Sequence, residues 1–304
     1  MMRRLTSALL ALAVAAVLVV AGIEQPGAQP QQAQAATPMF AIEAAHPGFT
    51  PALDGSEPVF FLVLGDNYRK GIEESHLTDS IHVIGINPEK HRGTIVGLPR
   101  DSWVPIPGHG TAKINEAYHD GGCKLAVATV EQLSGITLDY CVVTGFIGFK
   151  ALVTEVGGVQ VNVPYPIDDT HSKAKFNKGK EVMTGKEALS FVRARYDVPN
   201  GDFSRSENQG LFLLSMLAQE QKQTKKDPSQ MLRYLASTMR NVDTGDLSSD
   251  ELINLAFTAE AIPMKAVNNE VCLGSIDMVG AQSVVKLGSQ CTKLFKKMKN
   301  DGIA

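Results

Sequence analysis

The chain has 304 residues, of which 44% are hydrophobic and 20% are charged, and its formal net charge is −3. This length can bury one sizeable core or two small ones. A weakly acidic chain lacks the broad positive surface that nucleic-acid binding requires, so we expect no nucleic-acid partner. No repeat is visible, which argues against a solenoid.

The N-terminus carries an apolar run behind two arginines. Arg3 and Arg4 precede residues 5–23, an uncharged stretch that can just cross a bilayer at about 1.5 Å per residue. The arginines would stay in the cytoplasm, which places the remaining chain outside. A cleaved signal peptide is the alternative, with Ala33–Ala35 as a candidate cleavage site. Residues 1–23 are therefore predicted to be a membrane anchor or signal segment, and the protein a single-pass membrane protein with an extracytoplasmic C-terminal domain.

Residues 24–57 are rich in Pro, Gln and Ala and show no apolar period, so they are predicted to be a linker. The four cysteines would face an oxidising compartment, where both disulfides and buried thiols are open. Cys272 and Cys291 are the favoured pair because both lie in the C-terminal part. The cysteine and histidine spacing gives no indication of zinc.

The next elements alternate between two types of pattern. Short apolar or alternating runs predict strands, and apolar residues at helical spacing predict helices. Such alternation is typical of an α/β sandwich. In chain order the predicted elements are strands at 58–65, 80–87 and 93–99, a helix at 124–135, a strand at 139–145, a helix at 146–158 and a strand at 159–164.

Further helices are predicted in the second half of the chain. Thr184 with Glu187, and Ser204 with Glu207, fit the capping-box pattern, and the second helix should reach about residue 223. Amphipathic patterns at 228–239 and 249–262 and a final lysine-rich helix follow. Residues 226–304 are therefore predicted to be a helical part that packs on the domain before it.

The most informative cluster holds Arg193, Arg195, Arg205 and Gln209 within 17 residues, with Arg100 earlier in the chain. Guanidinium groups match phosphate oxygens two bonds at a time and stay charged. Because the rest of the chain is weakly acidic, the cluster favours a discrete anionic ligand.

The spacing of these arginines adds two conditional predictions. Arg193 and Arg195 share a face only in extended chain, so the helix must end near Phe191 if both serve one ligand; two surface arginines are the alternative. Arg205 would follow the cap Ser204 directly, where the helix dipole disfavours a cation unless a phosphate occupies the site. Gln209 lies one turn later, on the same face or facing solvent.

Carboxylates near predicted strand ends are candidate metal ligands. Asp79 leads into the strand at 80–87, and Asp66 and Asn67 follow the first strand. Such side chains can hold Mg²⁺ or accept a proton. The alternative is a loop aspartate that binds its own backbone.

Several separated motifs in this order resemble the LytR-CpsA-Psr family of cell-envelope phosphotransferases. The resemblance runs from about residue 59 to residue 223 and continues more weakly beyond. The motifs are FLVLGDNYR (61–69), LTDSIHVIGINPEKHRGTIVGLPRDSWVPIPG (77–108), KINEAY (113–118), VGGVQVNVP (156–164), LSFVRAR (189–195) and GDFSRSENQ (201–209).

The resemblance implies a central mixed β-sheet flanked by helices, with residues 58–225 as the catalytic domain. It also implies transfer of a glycopolymer from a polyprenyl-pyrophosphate carrier to peptidoglycan, with Mg²⁺ or Mn²⁺ as cofactor. The glycopolymer itself, such as teichoic acid or capsule, stays open. By matched motif, the implied catalytic residues are Asp79, Arg100 and Arg193, the pyrophosphate ligands are Arg69, Arg100, Lys113, Arg193, Arg195, Arg205 and Gln209, and the metal ligands are Asp79, Asp66 and Asn67.

One position departs from the family pattern. The family shows G-x-D-x-R after its first strand, and here Asn67 stands where the second aspartate is expected. Two other functions therefore stay open beside the transferase. A non-catalytic binder of lipid pyrophosphates would need the arginines without Asp79, and a pyrophosphatase would use water in place of the sugar.

Overall fold

A computed structural model describes residues 40–46, 57–67, 76–227 and 262–304, with a few positions between residues 227 and 262. The strands are β1 Phe40–Ala44, β2 Val59–Asp66, β3 Thr78–Asn87, β4 Arg92–Gly97, β5 Trp103–Ile106, β6 Gly110–Lys113, β7 Tyr140–Gly145, β8 Val159–Val163, β9 Ile167–Asp169, β10 Ala174–Phe176, β11 Gly179–Met183, β12 Val242–Asp243, β13 Val267–Val271, β14 Gly274–Val279 and β15 Gln282–Leu287. The helices are α1 Glu116–Ser134, α2 Phe146–Glu155, α3 Gly185–Arg193, α4 Asp202–Lys226 and α5 Ser289–Met298.

The centre of the fold is a mixed seven-stranded sheet in the order β12-β1-β7-β2-β3-β4-β13. Strands β2, β3 and β4 form antiparallel pairs, whereas β7 runs parallel to β2 and β13 runs parallel to β4. The mixed sheet with flanking helices confirms the predicted α/β fold. The predicted strand pair at 80–87 and 93–99 is also confirmed, because β3 and β4 form it.

The two faces of the sheet pack against different helices. Leu62 and Leu64 of β2 are buried in a core that includes residues of α1 and α5. The opposite face meets α4 closely, since a Cβ on Gly97 would lie 2.2 Å from Ser206 Oγ. A second core joins the β8–β11 pair to α2, α3 and α4. The candidate site lies on the α4 side of the sheet.

Two disulfides fasten the first core. Cys123 in α1 is bonded to Cys141 in β7, and Cys272, directly after β13, is bonded to Cys291 in α5. The favoured Cys272–Cys291 pairing is therefore confirmed. All four cysteines are buried and bonded, so the alternative of buried thiols is wrong.

Two sequence-based boundaries need correction. Strand β1 lies inside the predicted linker 24–57 and pairs antiparallel with β7 through five residue pairs. The C-terminal part, predicted to be helical, contains β13, β14 and β15 beside helix α5. Strand β13 reads VNNEV, so it shows no apolar run, and its pairing with β4 rests on backbone hydrogen bonds.

Other predicted segments lie outside the described residues. These are the N-terminal segment 1–23 and most of the amphipathic patterns at 228–239 and 249–262. Within the part of the chain that the structure describes, none of the helices combines the length and the apolar character needed to span a membrane.

Candidate active site

The segment that joins α3 to α4 delivers two of the arginines. Thr184 caps α3 and Glu187 completes the capping box, as the sequence predicts. The helix ends at Arg193, and Ala194 turns the chain to an extended conformation (φ −59°, ψ 122°). The helix would have to end near Phe191 for Arg193 and Arg195 to share a face, and it ends two residues later. Arg193 therefore stays on the last helical turn, while Arg195 leaves on extended chain.

A buried carboxylate that the sequence analysis missed fixes this segment. Asp169 Oδ2 accepts hydrogen bonds from the backbone N–H groups of Arg195 (2.7 Å) and Tyr196 (2.9 Å). Its Oδ1 accepts from the backbone N–H groups of His171 (2.9 Å) and Ser172 (3.1 Å). Burial disfavours the charge, but the four donors outweigh it and hold the pKa of Asp169 below its usual value.

Helix α4 begins earlier than predicted. Its first residue is Asp202, after Gly201 at φ +54°, and the Arg205 N–H already donates to the Gly201 carbonyl (3.0 Å). The predicted cap at Ser204 is wrong, and so is a free Arg205 N–H for phosphate. Asp202 explains why a cation is tolerated in the first turn of α4, because the Asp202 carboxylate pairs with the side chain of Arg205, three residues later.

Two aspartates gather the cationic side chains. Asp101 pairs with Arg195 (Nη2 to Oδ2, 3.0 Å) and with Lys113 (Nζ to Oδ1, 3.3 Å). Asp202 pairs with Arg205 and lies 3.8 Å from Arg195 Nε. Segments more than 80 residues apart in sequence thus meet at these carboxylates. Asp202 also has a sequence signal, since Gly is accepted at a helix N-cap and an acidic residue is favoured in the first turn that follows it.

Arg100 links this group to Asp79. Its Nη1 donates to the Asp79 carboxylate, and its Nε lies 3.6 Å from Asp101 Oδ1. Burial opposes the Arg100 charge, but Asp79 and Asp101 outweigh it and raise the pKa of Arg100. Burial likewise opposes the Asp101 charge, but Arg100, Arg195 and Lys113 lower the pKa of Asp101. Both groups are therefore charged at neutral pH.

Arg205 is the most deeply buried cation of the group, at 6% exposed. Burial lowers its pKa, and the nearby carboxylates Asp202 and Asp79 oppose this. Gln209, one turn later in α4, donates to the carbonyls of Asp79 (3.2 Å) and Val192 (3.0 Å). It is therefore a buried brace between β3 and α3, and the alternative of a solvent-facing residue is wrong.

An apolar cavity opens beside these ion-paired side chains. We call them the charged group, which consists of Asp79, Arg100, Asp101, Lys113, Arg195, Asp202 and Arg205. The cavity encloses about 580 Å³ of empty space, counted out to its open mouth, between the sheet and helices α2, α3 and α4. Arg193 lies at this wall with its guanidinium carbon 4.9 Å from the centre of the Phe146 ring. The cavity is also lined by the apolar side chains of Val63, Phe149, Leu189, Val192, Phe212 and Leu213, and by the polar residues Asp66, Asp79 and Gln209.

Two of the three predicted metal ligands line the same cavity. Asp66 and Asp79 both line it, and Asp66 Oδ2 lies 3.1 Å from His76 Nδ1. Asn67 directly follows Asp66. Carboxylate and amide oxygens suit Mg²⁺, which takes one or two protein carboxylates and completes its shell with water and substrate phosphate. The donor set therefore fits the ion.

Among the described residues, one group of three acidic or sulfur ligands lies close enough to share a metal, namely Glu43 with Cys123 and Cys141. Those two cysteines form a disulfide, which removes them as ligands. This group therefore carries no metal prediction.

The structure brings most of the predicted site residues together. Arg69 lies outside the described residues. Asn115, in the KIN motif, is buried and accepts the Thr78 N–H with its carbonyl (3.3 Å), so it supports the start of β3 beside Asp79. The residues that converge are Asp79, Arg100, Lys113, Arg193, Arg195, Arg205 and Gln209, with Asp66 and Asn67 at the neighbouring strand end.

The chain that carries this fold and this site belongs to the LytR_cpsA_psr family, whose family model matches residues 23–300. The family resemblance of the sequence motifs is thereby confirmed.

Three relatives illustrate the match. The polyisoprenyl-teichoic acid–peptidoglycan teichoic acid transferase TagU of Bacillus cereus is 41% identical over 155 residues, which are 51% of this chain and 50% of that protein. TagU of Enterococcus faecalis is 34% identical over 207 residues, 67% of each chain. The crystal structure of B. subtilis TagV matches 80% of this chain and 95% of that chain with a TM-score of 0.68 at 26% identity. The chain thus spans about half the length of the first of these relatives.

Proposed function

We propose that the protein is an extracytoplasmic phosphotransferase. It moves a glycopolymer from a polyprenyl-pyrophosphate carrier to a peptidoglycan hydroxyl and forms a phosphodiester. The observation that carries this proposal is the junction of a fixed cationic group with an apolar cavity, with Arg193 at the boundary. The names of the TagU relatives, which describe transfer of teichoic acid from a polyisoprenyl carrier to peptidoglycan, support the same reaction.

The donor would lie across this junction. Its polyprenyl chain enters the apolar cavity, which favours hydrocarbon over water. Its two phosphates meet Arg193 at the cavity wall and Arg100, Arg195 and Arg205 beyond it. The carboxylates Asp101 and Asp202 hold these cations in place before the ligand arrives, so little reorganisation is needed as charge develops.

The transfer exchanges one phosphorus–oxygen bond for another. The acceptor oxygen bonds to the phosphorus that bears the glycopolymer, and the bond from that phosphorus to the bridging oxygen breaks. The lipid phosphate leaves with the electron pair, and arginine side chains stabilise its charge. The proton of the acceptor hydroxyl goes to the Asp79 carboxylate, which Arg100 orients.

We also propose that Asp79, Asp66 and Asn67 hold Mg²⁺ or Mn²⁺. When bound, the ion would neutralise diphosphate oxygens as a Lewis acid. The expected result is that a chelator abolishes transfer by the purified protein and that added Mg²⁺ restores it. Transfer that persists in the chelator would contradict this assignment.

The proposed location is the outer side of the cell membrane, with residues 1–23 as the anchor. Support comes from the apolar run behind Arg3 and Arg4 and from the two disulfides, which persist in oxidising compartments.

The decisive experiment supplies a lipid-pyrophosphate-linked glycan with and without a peptidoglycan acceptor. A transferase forms the phosphodiester product only with the acceptor present. A pyrophosphatase releases phosphorylated glycan at the same rate in both reactions. A non-catalytic binder leaves the donor intact in both while still binding it.

A further inference from the structure

Two aromatic rings lie exposed beside the charged group. Tyr196 is 68% exposed, and the side chain of His171 is 67% exposed. Their ring centres are 4.1 Å apart with an interplanar angle of 32°. Neither ring is part of a core cluster, so burial does not explain why they meet.

One buried group fixes the backbone that carries both rings. Asp169 accepts the backbone N–H of His171 at Oδ1 and the backbone N–H of Tyr196 at Oδ2, each at 2.9 Å. The same Oδ2 accepts the N–H of Arg195 at 2.7 Å. The backbone of the two aromatic residues and of Arg195 is therefore held as one unit before any ligand binds, which reduces the entropy that binding costs.

The ring pair lies next to the charged group and is not part of the cavity lining. The guanidinium carbon of Arg195 is 6.0 Å from the Tyr196 ring centre. Arg195 pairs with Asp101 and Asp202, whereas Arg193 lines the apolar cavity. A ligand that stacks on Tyr196 is thus one arginine side chain away from the proposed diphosphate.

The geometry of phosphoryl transfer decides which sugar belongs there. Attacking and leaving oxygens lie roughly in line across the phosphorus. The leaving lipid phosphate lies toward the cavity, where its prenyl chain is housed. The attacking hydroxyl therefore arrives from the polar side, where Asp79 at the edge of the cavity is connected through Arg100 and Asp101 to Arg195, the neighbour of Tyr196.

We propose that Tyr196 and His171 form the stacking surface of an acceptor subsite for the N-acetylhexosamine rings of a peptidoglycan glycan strand. The C–H face of a pyranose packs on aromatic rings, and its hydroxyls donate to nearby carboxylates. Asp197, the residue after Tyr196, supplies one such carboxylate, and its Oδ2 also accepts the Asp168 N–H at 3.1 Å, while the Asp168 carboxylate pairs with Lys175. This inference rests on the proposed transferase function.

The first test measures binding of a soluble β-1,4-linked N-acetylglucosamine oligomer to the full chain by NMR titration. Tyr196→Ala should weaken binding about tenfold, which is the worth of one aromatic contact, and Tyr196→Phe should bind like the wild type. Ile276→Ala, at an equally exposed apolar residue of β14, is the matched control and should change nothing. Equal binding by wild type and Tyr196→Ala would overturn the proposal.

The second test measures transfer kinetics with separate variation of donor and acceptor. Tyr196→Ala should raise the acceptor KM and leave the donor KM unchanged. A raised donor KM with an unchanged acceptor KM would assign the rings to the donor sugar and overturn the acceptor subsite. If the wild type transfers nothing, the proposed function fails, while the binding titration still judges the subsite by itself.

Discussion

The charged group and the apolar cavity lie side by side but are built from different kinds of contact. The charged group draws on residues from four separate stretches of chain, and each cation has a carboxylate neighbour such as Asp101 or Asp202. The cavity is walled by side chains whose common property is apolar surface. Fixed charges serve the transition state, whereas apolar walls bind substrate and transition state alike. Changes in the charged group should therefore lower kcat, and changes in the cavity should raise the donor KM.

The largest effect is expected for Asp79→Ala. This change removes the proposed base and leaves Arg100 without its ion-pair partner. Transfer should fall at least about hundredfold, as for loss of a general base. Binding of the lipid-pyrophosphate donor, measured by calorimetry, should persist because the arginines and the cavity remain.

Asp277→Ala serves as the control for Asp79→Ala, because Asp277 is an exposed carboxylate of β14 that pairs with Lys286. It should transfer at the wild-type rate. Undiminished transfer by Asp79→Ala would show that Asp79 is not the general base.

Lowering the pH should test how stability depends on a buried ionisable group that has no ion-pair partner among the described residues, namely His82. His82 is fully buried under α4, with Nε2 3.1 Å from the Ser206 carbonyl, and burial lowers its pKa to about 4. The folded state thus resists a proton that the unfolded chain accepts below about pH 6.5. The free energy of unfolding should fall by up to about 3 kcal/mol between pH 6.5 and pH 4.

Denaturant titrations at both pH values check this loss. His82→Gln keeps a donor for the Ser206 carbonyl without a titrating ring, so its stability should change less over the same interval. An identical pH dependence in both proteins would show that other groups cause the loss.

A smaller effect is expected for Asp169→Asn, because Asp169 acts on the charged group only through the backbone of Arg195. The amide puts N–H donors against two of the four backbone N–H groups that the carboxylate accepts, so Arg195 loses its fixed backbone position. We expect kcat to fall about tenfold, because a buried hydrogen bond is worth about 1–3 kcal/mol when one partner is lost. The donor KM should hardly change, since Arg193 and the cavity are intact.

A fall in thermal stability without this split between kcat and KM would show that Asp169 is only structural. The conservative Asp169→Glu variant, which restores the charge, should recover part of kcat.

The smallest effect is expected in the cavity. Leu213→Ala shortens one apolar wall residue and should raise the donor KM about fivefold while leaving kcat nearly unchanged. The effect should vanish with a donor whose prenyl chain is too short to reach the wall. Leu133→Ala, which trims a half-buried leucine against the core on the other face of the sheet, is the matched control and should leave the donor KM unchanged.

The sequence predicts those parts of the molecule whose signal is local. The apolar runs of β2, β3 and β7 and the capping box of α3 are read correctly because hydrophobic periodicity and capping act within a few residues. The arginines are found because their chemistry is distinctive even without a structure.

The missed features depend on distant chain. Strand β13 has no apolar pattern and is a strand because β4 offers backbone partners. Asp169 is important because the N–H groups of Arg195 and Tyr196, 26 and 27 residues away, turn toward it. For α4 the sequence offers two possible N-cap residues, Gly201 and Ser204. The structure uses Gly201, whose positive φ lets the helix begin at Asp202 rather than after Ser204.

The return of the chain to the sheet after residue 262 has a practical consequence. Strand β13 covers the outer side of β4, and the Val285 N–H of β15 donates to the Asp101 carbonyl at 2.8 Å. A fragment cut at residue 225 would expose β4 as an unprotected edge and leave the loop of Asp101 unsupported. Such an edge recruits other chains, so the fragment is expected to aggregate and to be unsuitable for assays or crystallisation.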